Sequence, residues 1–325
     1  MKIAQITLRE NDEDILKEIA LKKQKMPLSR KLFIICMITY PILQFLVFWV
    51  YVNFNSILMA FQTLDYMSQS VKWVGFDNFV KVWNDLINIP DLLNCIKNSV
   101  ILFLNNNFIL LPISIFCAYI FFKKLPGNKI FRVIFFLPNI ISVVVLTMSF
   151  SFMFENSIGP INSVLRNLGL ESLIPTNGWL SDKSTAFPMV LVYCIWAGIG
   201  YNVVLLSGAI NRIPTEIIEA GKLDGISAPR ELFNIVIPLI FPTISTLFIT
   251  GVTVIFTLFL QPQLLTGGGP YEHISGTIAM YIIEKVNANQ LYEASCVGLI
   301  FSVIGIPLVL GIKKILDLIT PDVNY

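Results

Sequence analysis

The sequence predicts an all-α polytopic membrane protein with six transmembrane helices, and three observations support this fold class. Of the 325 residues, 55% are hydrophobic and only 14% are charged. A soluble chain of this length could not cover such a core with so few polar side chains. The mean hydropathy is +0.73. The apolar residues are gathered into runs of about 20, the length that an α-helix needs to cross a bilayer.

Six such runs follow one another along the chain. They cover residues 32–54, 99–122, 130–154, 186–210, 240–262 and 292–313, and the first has room to extend toward residue 60 if it is tilted. A polar arm (1–31) precedes this membrane domain (32–318), and a short tail (319–325) follows it. The arm is charged and the run after it is too long for a signal-peptide core, so we expect no cleavable signal. Prolines inside the runs, among them Pro112 and Pro138, are expected to kink their helices.

The basic residues are distributed unequally between the two sides of the predicted bundle. Seventeen of the 23 lysines and arginines lie in the arm, in the even-numbered connections and after the last run, whereas six lie in the odd-numbered connections. Basic residues are concentrated on the cytoplasmic side of membrane proteins. We therefore expect a multi-pass protein of the cell membrane with both termini in the cytoplasm.

Two of the outer connections have distinctive sequences. The first, residues 62–98, is rich in aromatic residues and contains the run VGFDNFVKVW from Val74 to Trp83. A helix lying on the membrane surface and a contact with a partner protein are both consistent with this run. The last outer connection contains Thr266, Gly267, Gly268, Gly269 and Pro270. Its three glycines permit an irregular backbone that other groups can approach closely.

The fourth connection is the most polar interruption of the second half of the chain, and its residues predict a helix, a turn and a second helix. Pro214 suits the first position of a short helix, and Gly225 suits the left-handed residue that ends it. A second helix is expected to begin near Ser227, a good N-cap residue. Pro238 and Pro242 are expected to bend or break that second helix.

One side of the short helix carries residues at i, i+3, i+4 and i+7, namely Ile217, Ala220, Gly221 and Asp224. Ala220 and Gly221 are small, so another backbone has room to approach there, and Glu219 lies beside them. An ordinary solvated loop is the alternative interpretation of such a segment.

The pattern of these residues resembles a known coupling loop. Glu219-Ala220-Gly221, Asp224-Gly225, Phe233 and the two prolines match the loop of the membrane subunits of binding-protein-dependent ABC importers, most closely the carbohydrate-type permeases. That family has Glu-Ala-Ala and Asp-Gly-Ala at these places, so the chain departs from it at Gly221 and Ile226. The segment from Thr266 to Pro270 is similar to the family's Thr-Gly-Gly-Gly-Pro segment after the fifth span.

The resemblance implies the type I ABC importer permease fold, with residues 211–238 as a cytoplasmic coupling loop. It implies that Glu219, Ala220, Gly221, Asp224 and Gly225 contact an ATPase subunit, and that the segment Thr266–Pro270 faces an extracytoplasmic substrate-binding protein. The other implied partners are a second permease subunit, forming a heterodimer, and two nucleotide-binding subunits that hold ATP and Mg²⁺. The implied cargo is a sugar or oligosaccharide, and this chain itself holds no cofactor.

The sequence argues against several other classes of protein. It contains no phosphate-binding loop of the Walker type, so we expect no ATP hydrolysis by this chain alone. His273 is the only histidine and the five cysteines are scattered, so we predict no catalytic residues and no metal site. The net charge of +2 gives no reason to expect nucleic acid. A membrane enzyme is therefore disfavoured, and so is a secondary transporter, because no Asp or Glu lies near the centre of a predicted run. An ABC importer for a non-sugar solute stays open.

The polar residues inside the runs are neutral, and such side chains suit an uncharged ligand rich in hydroxyl groups. The candidate substrate path consists of Gln261 and Gln263 around Pro262, Asn202 and Tyr201 in the fourth run, and Asn106 in the second. Pro262 removes a backbone donor, so we expect the backbone to be bent there, as it often is at transporter binding sites. Hydrogen bonding between helices is the alternative role for each of these side chains.

Overall fold

The computed structural model describes residues 28–65, 70–123, 127–268 and 274–319. Most of the predicted arm and tail therefore lies outside the described residues. The helices are α1 Leu28–Met59, α2 Asp77–Asn88, α3 Pro90–Phe122, α4 Asn128–Ile140, α5 Val143–Met153, α6 Pro160–Asn167, α7 Ala186–Ile210, α8 Thr215–Leu223, α9 Ala228–Thr257, α10 Leu260–Thr266, α11 Ile278–Asn287 and α12 Leu291–Ile319. A hairpin of β1 (Gln62–Asp65) and β2 (Ser70–Trp73) follows α1, and a 3-10 turn spans Glu171–Leu173.

The spans agree with the predicted bundle in number but not in every boundary. Within the described residues, α1, α3, α7, α9 and α12 are long and apolar enough to cross a membrane, and the bent pair α4–α5 makes a sixth span if it is counted as one. The two parts of this pair, Ile130–Ile140 and Val143–Met153, are inclined by 111°. The third predicted run is thus a broken span, in which Pro138 lies in the last turn of α4 and Ser142 caps α5 through the Val145 N–H.

Wide π-type turns precede prolines in α3 and α9. They cover Asn105–Leu110, before Pro112, and Leu232–Val236, before Pro238. The residue directly after each wide turn donates its N–H to the carbonyl five residues earlier, Leu111 to Asn106 and Ile237 to Leu232. This wider spacing lets the helix continue past the proline that follows. Of the predicted bend or break at Pro238 and Pro242, the break does not occur, because α9 continues through both prolines to Thr257.

The described residues divide into two units, one ending at Ser56 and the other beginning at Ile57. The second unit is built around α7, which packs against α3, α4 and α9. One buried cluster, at the end of α7 that leads into α8, includes Tyr119, Leu206, Ile210, Ile213, Ile218 and Val236. A second cluster, where α2, α3, α11 and α12 meet, includes Val82, Leu92, Cys95, Tyr281, Cys296 and Val297. The first cluster fixes α8 to the helical bundle.

Helix α2, within the aromatic first connection, has three faces of different character. Its packed face includes Val82 and Asn78, whose amide donates to the carbonyls of Ala60 at 2.9 Å and Gln62 at 2.8 Å. Its exposed apolar face consists of Phe76, Val80, Trp83 and Ile87, and its exposed polar face of Asp77, Lys81, Asn84 and Asn88. A helix at the rim of a membrane bundle meets protein, lipid and water at once. This pattern fits a helix on the membrane surface, and the exposed apolar face equally fits a contact with a partner protein.

Candidate functional site: a coupling segment and a polar cavity

In the coupling segment, residues 213–238, the turn between the two helices has the structure that the sequence predicts. Helix α8 ends at Leu223, and Gly225 has the expected left-handed backbone with φ of +70°. The N–H of Ile226 donates to the carbonyl of Gly221 at 3.1 Å, which closes the helix end. The second helix begins directly after Ser227. Pro214 lies one residue before α8 and not at its first position.

The two sides of α8 differ in their surroundings. Ile218 and Gly221 are buried, and a Cβ atom added at Gly221 would lie 3.0 Å from the side chain of Ile235. Gly221 therefore packs on α9, so the element that approaches it closely belongs to this chain, whereas Ala220 is exposed. The exposed surface includes Ile217, Glu219, Ala220, Leu223, Asp224 and Gly225, together with Thr215, Glu216 and Lys222. Leu223 is 89% exposed, which is unusual for a large apolar side chain unless a partner covers it.

A polar cavity lies between the helices of the bundle. It has a volume of about 280 Å³ and is lined by residues of α3, α4, α5, α7, α9 and α10 and of the breaks between them. Its polar lining residues are Asn106, Asn139, Tyr193 and Gln261, and none of its described lining residues is charged. The break in the α4–α5 pair contributes Ile141, and the break after α9 contributes Leu258. Amide and hydroxyl groups in an apolar setting can orient a neutral polar ligand.

The three consecutive asparagines of α3 have separate roles. Asn106 lines the cavity, whereas the amide of Asn105 donates to the carbonyl of Leu191 in α7 at 3.4 Å. The amide of Asn107 donates to Phe103 in its own helix. A Cβ atom added at Gly251 would lie within 2.6 Å of the amides of Asn106 and Asn107. With glycine at position 251, α9 passes close to the wide turn of α3 without displacing these two side chains.

The backbone of the fifth span is broken near Pro262, as expected, but the break lies earlier. Leu258 is extended and separates α9 from α10, while Pro262 is buried inside the first turns of α10. The carbonyl of Leu258 accepts a hydrogen bond from the hydroxyl of Thr277, and the same hydroxyl caps α11 by accepting from the Met280 N–H. A residue 19 positions later thus satisfies the carbonyl that the break frees.

The outer segment after α10 is tied to the same region. Thr266 and Ser275 form a hydroxyl–hydroxyl hydrogen bond of 2.5 Å, and the amide of Asn98 in α3 donates to the carbonyls of Ile274 and Gly276. Gly267 and Gly268 are left-handed, with φ of +59° and +87°. Gly269 and Pro270 lie outside the described residues. The described part of the Thr266–Pro270 segment therefore adjoins the broken end of α9 that lines the cavity.

The structure brings together only two of the five predicted path residues. Asn106 and Gln261 line the cavity, whereas Gln263, Asn202 and Tyr201 do not. Asn202 is buried inside the bundle and Tyr201 is exposed on the surface of α7. Tyr193 was not recognised from the sequence, because its hydroxyl stands in an apolar run with no signal of its own. Asn139 was only one of many neutral polar residues there, although its place beside Pro138 in a long apolar run was an available signal.

A bundle of membrane-crossing helices with an uncharged polar cavity, and with an exposed helical segment between two of its spans, defines a membrane transport subunit. The chain belongs to the family of binding-protein-dependent transport system inner membrane components, whose family model matches residues 111–325. This membership confirms the resemblance seen in the residues from Glu219 to Pro242. Proteins of this family are the membrane components of importers and are not themselves catalytic.

Individual relatives match most of the chain in sequence, and one solved structure matches it in fold. The chain is 31% identical to the probable ABC transporter permease protein YurN of Bacillus subtilis over 232 residues, 71% of this chain and 77% of YurN. It is 25% identical to the diacetylchitobiose uptake system permease protein NgcF of Streptomyces coelicolor over 290 residues, 87% of this chain and 82% of NgcF. A chain in the crystal structure of a bacterial ABC transporter that imports alginate matches with a TM-score of 0.77 and 23% identity, covering 90% of this chain and 98% of that one. This likeness confirms the predicted type I permease fold.

Proposed function

We propose that this chain is the permease subunit of an ATP-driven importer for a sugar or oligosaccharide. The observation that carries the proposal is the cavity, whose polar lining residues are three amides and one phenol, Asn106, Asn139, Gln261 and Tyr193, and whose described lining residues carry no charge. A neutral sugar offers many hydroxyl groups and no charge, so such a lining matches it. NgcF, a relative over most of the chain, is named for the uptake of diacetylchitobiose.

The proposed machine contains several further subunits. A second permease pairs with this chain as a heterodimer, and an extracytoplasmic binding protein delivers the sugar near the Thr266–Pro270 segment. Two nucleotide-binding subunits hold ATP and Mg²⁺ and contact the exposed surface of α8. Leu223 and Phe233, 89% and 65% exposed, supply apolar area for that contact, and Glu219 supplies a charge for a basic partner residue. Closure of the ATPase pair moves the two coupling helices together and turns the cavity outward.

Two other functions were considered. An ABC importer for a non-sugar solute has the same coupling segment, and only the lining of the cavity argues against a charged cargo. A secondary transporter commonly carries an acidic residue on the path of its coupling ion, and none of the described residues that line this cavity is acidic. We therefore retain the non-sugar importer as the alternative to be tested.

The identity of the cargo can be tested by uptake into proteoliposomes that contain the complete importer. Labelled diacetylchitobiose, maltose and a neutral amino acid make a suitable first panel. We expect ATP-dependent accumulation of a saccharide, and accumulation of the amino acid alone would contradict the proposal.

The role of the cavity predicts a specific defect in transport. Gln261→Ala removes a hydrogen-bonding partner from a bound sugar hydroxyl, which costs about 1–3 kcal/mol and raises the half-saturation concentration about 5- to 100-fold. Asn106→Ala should act in the same direction. Gln263→Ala, on the same short helix but outside the cavity, is the matched control and should transport normally. Uptake curves that do not change for Gln261→Ala and Asn106→Ala would place the path elsewhere.

The proposed orientation predicts which positions are accessible from each side. Both termini and α8 lie in the cytoplasm, whereas β2 and the connection before α7 lie outside. In a cysteine-free background, a membrane-impermeant maleimide added to whole cells should label Lys72→Cys and Lys183→Cys. It should label Lys222→Cys only after the membrane is opened. Labelling of position 222 in intact cells would reverse the topology.

A further inference from the structure

The coupling segment contains one buried charge, the carboxylate of Glu231 in the first turn of α9. Glu231 is 3% exposed. The Lys123 ammonium, just beyond the end of α3, lies 2.6 Å from Oε1 and 2.7 Å from Oε2 of this carboxylate. The Tyr119 hydroxyl, in the last turn of α3, lies 3.3 Å from Oε1 and 3.0 Å from the carbonyl oxygen of Ala228. The end of α3 therefore holds the start of α9 through both a side chain and the backbone.

Burial by itself lowers the pKa of Lys123, but the hydrogen bonds to Glu231 and Tyr119 outweigh it, and the pKa is raised above the usual lysine value. Lys123 is therefore charged at neutral pH, and the contact is a true ion pair. Burying the Glu231 carboxylate beside a partly buried ammonium is costly, and apolar side chains of similar volume often give equal or greater stability at such a place. Apolar contacts already surround the pair of Lys123 and Glu231, because a single buried cluster contains Tyr119, Ile218, Leu232 and Val236. The ion pair makes the contact between the helices directional, because its hydrogen bonds fix one orientation of α3 relative to α9.

The two joined helices lead to the two functional regions of the chain. Glu231 lies eight residues after Leu223, the last residue of α8. A four-residue turn and the first three residues of α9 connect the two. Tyr119 and Asn106 lie on the same helix, 13 residues apart, which corresponds to about 20 Å along the axis. We propose that Glu231 and Lys123 are positioning residues that transmit the movement of α8 to α3 and so to the cavity. This inference rests on the proposed function, because it requires that α8 moves when the ATPase subunits close.

The test uses the complete importer in proteoliposomes, with Asn106→Cys as a reporter and the five natural cysteines replaced. The rate at which an impermeant maleimide labels Asn106→Cys from the binding-protein side is measured without nucleotide and after trapping with ATP, Mg²⁺ and vanadate. ATP hydrolysis is measured on the same samples. The variants are Glu231→Gln, the apolar pair Lys123→Met with Glu231→Met, and the exchanged pair Lys123→Glu with Glu231→Lys.

With Glu231 and Lys123 intact, we expect trapping to raise the labelling rate. In Glu231→Gln and the apolar pair, ATP hydrolysis should continue while the rise in labelling is at least about fivefold smaller, the lower end of typical coupling between sites. The exchanged pair should recover part of the rise because it restores the attraction. A merely structural role would not separate hydrolysis from labelling in this way.

Other outcomes would overturn the inference. If the apolar pair hydrolyses ATP and shows the full rise in labelling, the directional contact is not needed. If the apolar pair fails to assemble, the contact is a requirement for folding and not a link in coupling. Glu219→Lys serves as the control for the proposed function. If it abolishes the rise while the apolar pair does not, only the role of Glu231 and Lys123 fails. If trapping causes no rise even with both residues intact, the proposed movement itself is wrong.

Discussion

Glu219→Lys and Gly225→Val should each abolish sugar uptake and the ATP hydrolysis that the binding protein stimulates, and we expect these to be the largest functional losses from single changes in the coupling segment. Glu219 is exposed on α8, so the reversed charge leaves the fold of this chain intact. Its effect falls on the proposed contact with a basic residue of the ATPase subunit. An exposed pair is worth only about 0–1 kcal/mol, but a pair that is desolvated by docking is worth more, and like charges there oppose docking.

Gly225→Val acts through the backbone. Gly225 has φ of +70°, and no atom lies within 4 Å of a Cβ placed there. The substitution therefore meets no steric neighbour, and its cost is that of a left-handed conformation, roughly 1–2 kcal/mol for ordinary residues and more for a β-branched one. We expect the turn to adopt another conformation and to displace Asp224 and Leu223 from the docking surface. Gly225→Asn is the matched control, because asparagine tolerates this conformation.

Both effects are measured on purified complexes as ATP hydrolysis with and without binding protein, and as uptake into proteoliposomes. Glu171→Lys makes the same charge reversal in an exposed residue of the connection before α7 and should behave normally. Normal stimulation in both Glu219→Lys and Gly225→Val would show that coupling does not pass through this segment.

The local features of this segment were predictable because they depend on neighbouring residues alone. An Asp-Gly pair at a helix end favours a left-handed glycine, and Gly225 adopts this conformation. Ser227 directly precedes the second helix, as predicted, although its side chain makes no capping hydrogen bond. The number of spans was predictable from the apolar runs, since length and hydropathy decide which helices cross a bilayer, but several boundaries and the break in the third span were not. The first helix even extends to Met59, as a tilted first span would.

The features that escaped prediction depend on contacts between distant parts of the chain. The break after α9 lies at Leu258 because the Thr277 hydroxyl is available there, and no local pattern reports this pairing. The same holds for Glu231, whose burial depends on Lys123, more than a hundred residues earlier. Asn202 resembled Asn106 in the sequence, yet only Asn106 lines the cavity. Helix packing decides which asparagines line the cavity, so two asparagines that look alike in the sequence differ in their surroundings in the structure.

Gly200→Ala adds only a methyl group, yet we expect it to cause the largest loss of stability among the substitutions proposed for this protein. Gly200 lies in α7 where it passes α4, and a Cβ atom there would lie 2.1 Å from the carbonyl oxygen of Phe135 and 2.5 Å from the amide nitrogen of Asn139. The first of these atoms belongs to the backbone, so no side-chain rotation relieves the clash and the two helices must separate. Overpacking of this kind costs about 3 kcal/mol. Because Asn139 lines the cavity, the separation should also impair transport.

Gly208→Ala is the matched control, eight residues further along the same helix. Gly208 is exposed, and no atom lies within 4 Å of a Cβ atom placed there. Alanine favours a helix over glycine by about 1 kcal/mol, so this variant should be as stable as the parent or slightly more stable. The comparison is made by heating purified protein in detergent and measuring the fraction that remains monodisperse by size-exclusion chromatography. Equal midpoints for Gly200→Ala and Gly208→Ala would contradict the close approach of α7 to α4, because both changes add the same methyl group and only its surroundings differ.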